Sequence, residues 1–404
     1  PPGGQPDILG LASANFDFTP YLATSTDTAP ANGFQGDFSS LYVTAAAAQT
    51  GATARVQEGV DAVTPAGTVR VVAGAYAGDT LVAKALNLFG AQQGVAVGGR
   101  TFGGPAESTL SGMLTIQAAG VTVDGFSETN VVPSGGVIGF LVKTAGTNAV
   151  IANNIFDAIY TPDTSSSGLA QAIYLDNGPD GVQILNNAIR NVSSERSAKG
   201  ILICDSASSD QSQNVVIQGN RISNIASTSR GGYGILVGNL AGTPNLQVVG
   251  NVLDSLSSGS GWVHAIGLER DTPNASVNHN VISNLSTPGL DMVAVWFEDN
   301  PSFATVLVNR NSLAVGPVAL GILRHPALVG GPVNGSCNWW GDPTGPSGAG
   351  AGIGSPVGTG ITFSPWLGSA ALDGGCPPAD LHFTPSTALV ASGASVGIDL
   401  DLSG

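Results

Sequence analysis

The chain has 404 residues, of which only 10% are charged, and a formal net charge of −15 at pH 7. That balance makes nucleic acid and anionic membrane surfaces poor partners. A hydrophobic content of 42% argues against disorder despite 57 glycines, and no apolar run reaches the roughly 18 residues that a membrane-spanning helix needs.

The opening Pro1-Pro-Gly-Gly carries neither the basic nor the apolar region of a secretory leader. An exported protein would therefore be represented here by its mature form or an internal piece. Phe16-Asp-Phe-Thr-Pro-Tyr-Leu22 resembles Ile361-Thr-Phe-Ser-Pro-Trp-Leu367, and each follows a Gly/Pro/Ser-rich stretch. Residues 1–40 thus read as a tail like the end of a preceding unit. In Thr53–Val63, the apolar positions Val56, Val60 and Val63 fall at i, i+4 and i+7, which predicts a short amphipathic helix suited to capping an open end. Two or three strands joined at glycines follow from Gly67 to Gly90. Residues 92–115 look loop-like, and a regular stack is expected from Val121 onward.

From there one phrase recurs: Asn154-Ile-Phe, Asn187-Ala-Ile, Asn220-Arg-Ile, Asn251-Val-Leu, Asn280-Val-Ile and a weaker Asn311-Ser-Leu, spaced by 33, 33, 31, 29 and 31 residues. A short alternating run precedes each asparagine and a second one, such as Ala172-Ile-Tyr-Leu or Gly234-Ile-Leu-Val, closes each copy. Period-2 alternation rich in Val and Ile predicts strands, and several short strands per repeat predict a parallel β-helix. The six asparagines read as architecture: Asn tolerates the left-handed conformation at corners, satisfies backbone groups there, and can form a ladder from coil to coil.

The phrase at residues 62–91, with Gly67-Thr-Val-Arg-Val-Val-Ala-Gly, resembles the opening coils of right-handed parallel β-helix proteins of the pectate-lyase-like superfamily. Cys337-Asn-Trp-Trp-Gly-Asp-Pro-Thr-Gly-Pro resembles the terminal coil of secreted bacterial β-helix repeat proteins. The resemblance covers about residues 41–368. It implies an all-β, right-handed parallel β-helix but no particular activity, since that superfamily hosts lyases, hydrolases, adhesins and non-enzymatic surface proteins. Its glycosidase phrases (Asn-Thr-Asp, Gly-His-Gly, Arg-Ile-Lys) and its lyase phrase Arg-x-Pro-x-x-Arg do not occur here.

Of the three cysteines, Cys204 lies in a strand phrase and reads as a buried thiol, whereas Cys337 and Cys376 flank a Gly/Pro-rich stretch that a disulfide would close. Such a bridge favours an oxidising compartment. The domain reading is a tail at 1–40, a β-helix at 41–372, and at 373–404 a linker with the first strands of an immunoglobulin- or cohesin-like module.

Stacking the second run of each copy places Tyr174, Leu202, Leu236, Gly267 and Trp296 in one outward column, followed by Asp176, Cys204, Gly238, Glu269 and Glu298. Glu269, Asp271, Glu298 and Asp299 are the candidate catalytic carboxylates for glycoside hydrolysis, and the same acidic face could hold Ca²⁺. Tyr174, Trp296, Arg270 and Arg324 are candidate glycan contacts. The bland reading of this face is solvated ion pairing of Arg270 and Arg324 with the carboxylates. The lysines, Lys84, Lys143 and Lys199, are not expected near the acidic column, so a lyase base would have to be arginine, and the four histidines show no metal-ligand spacing.

The reading is an extracellular or cell-surface structural or adhesive β-helix module, glycan-binding at most, with no cofactor. It would contact itself or neighbouring units end to end or by strand addition. The alternative is a polysaccharide lyase or glycoside hydrolase using the acidic face.

Overall fold

The computed structural model describes residues 16–24, 27–28, 32–33, 35–205, 211–239 and 242–376. Each repeat contributes three short strands, and equivalent strands of successive repeats pair side by side in three sheets of 13, 11 and 8 strands. In one representative coil these are Gln183–Leu185 in sheet I, Ala188–Ser194 in sheet II and Ser197–Asp205 in sheet III. The chain is a right-handed parallel β-helix of about ten turns. Among the described residues it holds a single α-helix, Arg55–Ala62, here α1, which is not long or apolar enough to cross a membrane. The predicted immunoglobulin- or cohesin-like segment lies outside the described residues from 377 on.

The alternating runs fold this way because each strand buries one apolar face and stacks like on like. Ile151, Ile184, Ile217, Val248 and Val277 form the inner column of sheet I. Phe156, Ile189, Ile222, Leu253 and Ile282 do so in sheet II. Ile173, Ile201, Ile235, Ile266 and Val295 do so in sheet III. All are fully buried. β-Branched side chains suit such a pleated, tightly stacked wall.

The asparagines stand at the corner between sheets I and II, all fully buried. From Asn187 onward each Oδ1 accepts two hydrogen bonds from the preceding coil: the backbone N–H of Asn187 reaches Asn220 Oδ1 at 2.9 Å and its Nδ2 reaches the same oxygen at 3.0 Å. The ladder runs unbroken from Asn154 through Asn187, Asn220, Asn251, Asn280 and Asn311. It gains a seventh rung at Asn338, which accepts from Asn311 at 2.9 and 3.0 Å. One expectation is corrected. The left-handed residue is the one before each ladder asparagine, namely Asn153, Asn186, Gly219, Gly250, His279, Arg310 and Cys337, whose φ values run from 52° to 68°. The tight turn is thus made by one residue, which frees the next to turn its amide into the corner and saturate the buried backbone groups.

The ends are closed by the chain itself. Helix α1 buries Val56 and Val60 over the first coils. Its Gln57 side chain accepts from Leu81 N at 2.6 Å and donates to Leu81 O at 3.1 Å, so one amide substitutes for a neighbouring strand at the edge of sheet III. Tyr21–Leu22, read as part of a preceding unit, pairs antiparallel with Ser40–Val43 at one edge of sheet I, while Ile361–Thr362 ends the other. The similar phrases Phe16–Leu22 and Ile361–Leu367 therefore cover opposite edges of the same sheet, which leaves fewer unpaired N–H and C=O groups for another chain. The stretch 92–115, expected as loop, is shorter than that: Ser108–Ser111 and Leu114–Ile116 are strands of sheets II and III. The true loop before them is held by Arg100, which spans Glu107 with Nε–Oε1 at 3.0 Å and Nη2–Oε2 at 2.7 Å.

Cys337 and Cys376 form a disulfide. The segment before Cys376 runs back over the corner: Arg310 Nη1 donates to the carbonyls of Leu372 and Gly374 at 3.1 Å, and His279 Nε2 meets Asp373 Oδ1 at 3.1 Å. Reduction should free this segment. Closing the 39-residue separation stabilises by about 4 kcal/mol on a chain-entropy estimate. Hydrogen exchange after reduction should show residues 369–376 losing protection while the coils around Asn220 keep theirs.

One core position breaks the pattern. Glu128 stands in the inner column of sheet II between Leu110 and Phe156, fully buried, and neither carboxyl oxygen has a partner among the described residues. Burial, with a smaller contribution from the negative Asp79, holds its pKa well above the ordinary value. The folded state thus binds a proton that the unfolded chain releases above about pH 4.3. Stability associated with Glu128 is present below that pH and is lost as pH rises above it. Glu128→Met, which matches the apolar column, should raise stability at pH 7 by about 1–3 kcal/mol. The gain should shrink on acidification towards pH 4, as read by denaturation midpoints across pH.

Candidate functional site

The outer face of sheet III carries the polar chemistry. The expected column Tyr174, Leu202, Leu236, Gly267, Trp296 is continuous in register and ends at Leu323. A second outer column, missed in the sequence, runs beside it: Gln171, Lys199, Tyr233, His264, Val293. The apolar alternation of each run begins at the small residue Ala172, Gly200, Gly234 or Ala265, so the polar side chains just upstream carry no strand signal.

Between the two columns the side chains pack closely. Leu202, Tyr233 and Leu236 form a small apolar cluster outside the barrel, flanked by Tyr174, Cys204 and Trp262. Cys204 is therefore half-buried on this outer face, in the expected outward column, which corrects the expectation of a buried thiol. The ring of His264 stacks on Trp296 at 5.1 Å and meets Tyr233 edge-on at 5.6 Å, and His325 closes on the far side of Trp296 at 6.1 Å. Trp296 is 6% exposed, so its ring offers little surface to a ligand. Tyr174 is half-buried, with its hydroxyl donating to Asp176 at 3.0 Å.

Three of the four candidate carboxylates have separate partners. Glu269 Oε1 lies 3.4 Å from His264 Nδ1. Asp299 pairs with Arg270 at 2.9 Å, and Asp271 accepts from the backbone of Ser302 at 3.1 Å. Glu298 is half-buried at the end of its strand. Arg324 covers the Phe303 ring at 5.2 Å instead of a carboxylate. Among the described residues no three His, Cys, Asp or Glu side chains gather where they could hold a metal ion such as Ca²⁺.

A lysine does reach this face, against expectation. Lys199 is buried and its ammonium sits 5.9 Å from the centre of the Tyr233 ring. Its one hydrogen-bond acceptor among the described residues is Ser197 Oγ, at 3.0 Å. Burial pushes its pKa down to about 8, with Arg196 adding to the fall and Cys204 and Glu269 opposing it. Burial likewise raises the Tyr233 hydroxyl, with negative Glu269 adding to the effect. Tyr233 accepts a short hydrogen bond from Trp262 Nε1.

Lys199 opens onto a cleft of about 270 Å³, lined also by Arg196, Arg230, Tyr233, Trp262 and Ser166. The corner between sheets II and III builds its wall. Thr161, Ser194, Ser227 and Ser258 stand in register there, each seven residues after a ladder asparagine, and Thr287 holds the same offset. Their hydroxyls bind loop carbonyls: Thr161 to Gly135 at 2.7 Å, Ser194 to Gly168 at 2.6 Å, Ser227 to Arg230 at 2.7 Å and Thr287 to Gly261 at 2.7 Å. Ser194 also accepts from Arg196 N at 2.9 Å. This hydroxyl column fixes the loops that present Arg196 and Arg230 one coil apart. The constant offset was the sequence signal for it.

No known protein family matches the chain, and no curated protein matches it. Two solved structures are similar at low level. The Dettilon tailspike protein aligns at 10% identity over 79% of this chain and 68% of its own, with a TM-score of 0.31. The catalytic unit of a thermostable GH87 α-1,3-glucanase from Streptomyces thermodiastaticus aligns at 13% identity over 86% of this chain and 72% of its own, with a TM-score of 0.26.

Proposed function

We propose that this chain is a rigid β-helix module of a secreted or surface protein that holds a glycan on the outer face of sheet III without cleaving it. The observation that carries the reading is the cleft beside Trp262 and Tyr233, where aromatic rings and hydroxyls line a groove on an inflexible wall. Sugars bind such surfaces through ring stacking and hydrogen bonds. Rigidity is supported by the seven-rung asparagine ladder, and the absence of catalysis by the separate engagement of Glu269, Asp271 and Asp299.

Retention on immobilised polysaccharides tests this reading. The protein should be retarded on at least one glycan, and Trp262→Ala should weaken that retention about tenfold, equivalent to about 1.4 kcal/mol. Equal retention of the variant would take the contact away from the cleft and sink the proposal.

The alternative, a polysaccharide lyase, draws support from one residue outside the acidic face. Lys199 has a pKa lowered to about 8 by burial and lies among cations, as a proton-abstracting base would.

A further inference from the structure

Five of the arginines and lysines on this acidic chain find an acid. Arg55 pairs with Asp17, Arg100 with Glu107, Lys143 with Asp176, Arg190 with Asp157 and Arg270 with Asp299. The cleft on sheet III is different. Arg196, Lys199 and Arg230 surround it, and among the described residues none of the three forms an ion pair. Lys199 is 7% exposed and has three N–H groups but one acceptor, Ser197 Oγ. A charge kept that far from water with no acid in contact is costly unless something else supplies the negative partner.

We propose that this cleft is the subsite for a sulfate ester on a saccharide. This deepens the glycan reading above and rests on it. The three cations come from three places: the corner loop of one coil, the strand of sheet III that follows it, and the corner loop of the next coil. Cations lining one cleft from three elements suit the three terminal oxygens of a tetrahedral ester better than the two of a planar carboxylate. The arginines supply planar forks and the lysine a point charge. The rings of Tyr233 and Trp262 beside them fit a sugar carrier more than a free anion.

The test is calorimetric titration of the whole chain with a sulfated galactan oligosaccharide and with the same oligosaccharide after desulfation. The sulfated form should bind at least about tenfold tighter, and the difference should shrink as salt is raised. Arg230→Glu, at an exposed position, should abolish the preference, and Arg196→Gln should reduce it. Arg221→Glu, an exposed control on sheet II, should leave it intact. Thermal denaturation of each variant checks that it is folded. Equal binding of the two oligosaccharides overturns the subsite and leaves the glycan reading standing. Tighter binding of an oligogalacturonate than of the sulfated galactan overturns the sulfate assignment. No binding of any saccharide defeats the glycan reading itself.

Discussion

Replacing Asn220 with leucine is expected to destabilise the β-helix by about 3–5 kcal/mol. The side chain occupies the middle of the ladder, where its Oδ1 accepts from the backbone and amide of Asn187 at 2.9 and 3.0 Å. Its Nδ2 donates to Ile184 O at 2.9 Å and Asn251 Oδ1 at 3.0 Å. Leucine shares the branching at Cγ but is larger, and it would strand the Asn187 N–H, one amide proton of Asn187 and the Ile184 carbonyl, in a corner that is fully buried. Each stranded group costs about 1–3 kcal/mol. Aspartate would serve no better, because it would place a carboxylate where half of the contacts need a donor. The informative contrast is Asn245, which is exposed, has φ 58° and bonds Asn214 along the surface. Asn245→Gly should change stability by less than about 0.5 kcal/mol, since glycine adopts the left-handed conformation freely. Equilibrium denaturation of the two variants side by side measures the difference between corner and surface asparagines.

Arg100→Met should cost about 3–5 kcal/mol, the usual penalty for breaking one half of a buried ion pair. Arg100 and Glu107 have side chains 4% and 3% exposed, and Ser127 Oγ donates to the same carboxylate at 3.0 Å. Arg100 also binds Phe126 O at 3.1 Å and the carbonyl of Asn153. It therefore ties the 90–107 loop to two successive coils. Methionine would leave Glu107 buried and unpaired. Replacing both residues, as Arg100→Met with Glu107→Leu, should recover much of the loss, because two apolar side chains remove the stranded charge. Recovery in the double variant, measured by denaturation, separates the cost of an orphaned carboxylate from loss of packing.

Much of this architecture was legible because it repeats. The spacing of Asn154, Asn187, Asn220, Asn251, Asn280 and Asn311 marks one corner in every coil, and alternation around them marks the strands. The rung at Asn338 was hidden in the Cys337-Asn-Trp-Trp phrase, where the Asn-x-Ile pattern gives way to tryptophans. The left-handed residues were illegible because Asn, Gly, His, Arg and Cys all fill that column. Their common cause is the turn and not the side chain. Glu128 sits where the pattern calls for an apolar residue, and no local signal in Phe126-Ser-Glu-Thr says which face it takes. The cleft was missed for a related reason. The pair Arg196 and Lys199 lies a full repeat before the pair Arg230 and Tyr233, and neither stretch carries apolar alternation. Only the register Lys199–Tyr233–His264 across sheet III brings them together. The acidic residues drew attention because they cluster in sequence, yet folding disperses them among separate partners.

On the proposed function, the outer face of sheet III retains a glycan without breaking it. The most direct measurement incubates the chain with a sulfated galactan and with polygalacturonate, then follows chain length by size-exclusion chromatography with light scattering while scoring how much polymer is bound. Co-elution of protein with polymer of unchanged length is the predicted result. A falling chain length, or unsaturated ends accumulating in proportion to enzyme and lost in Lys199→Met, would contradict it and make this β-helix a lyase.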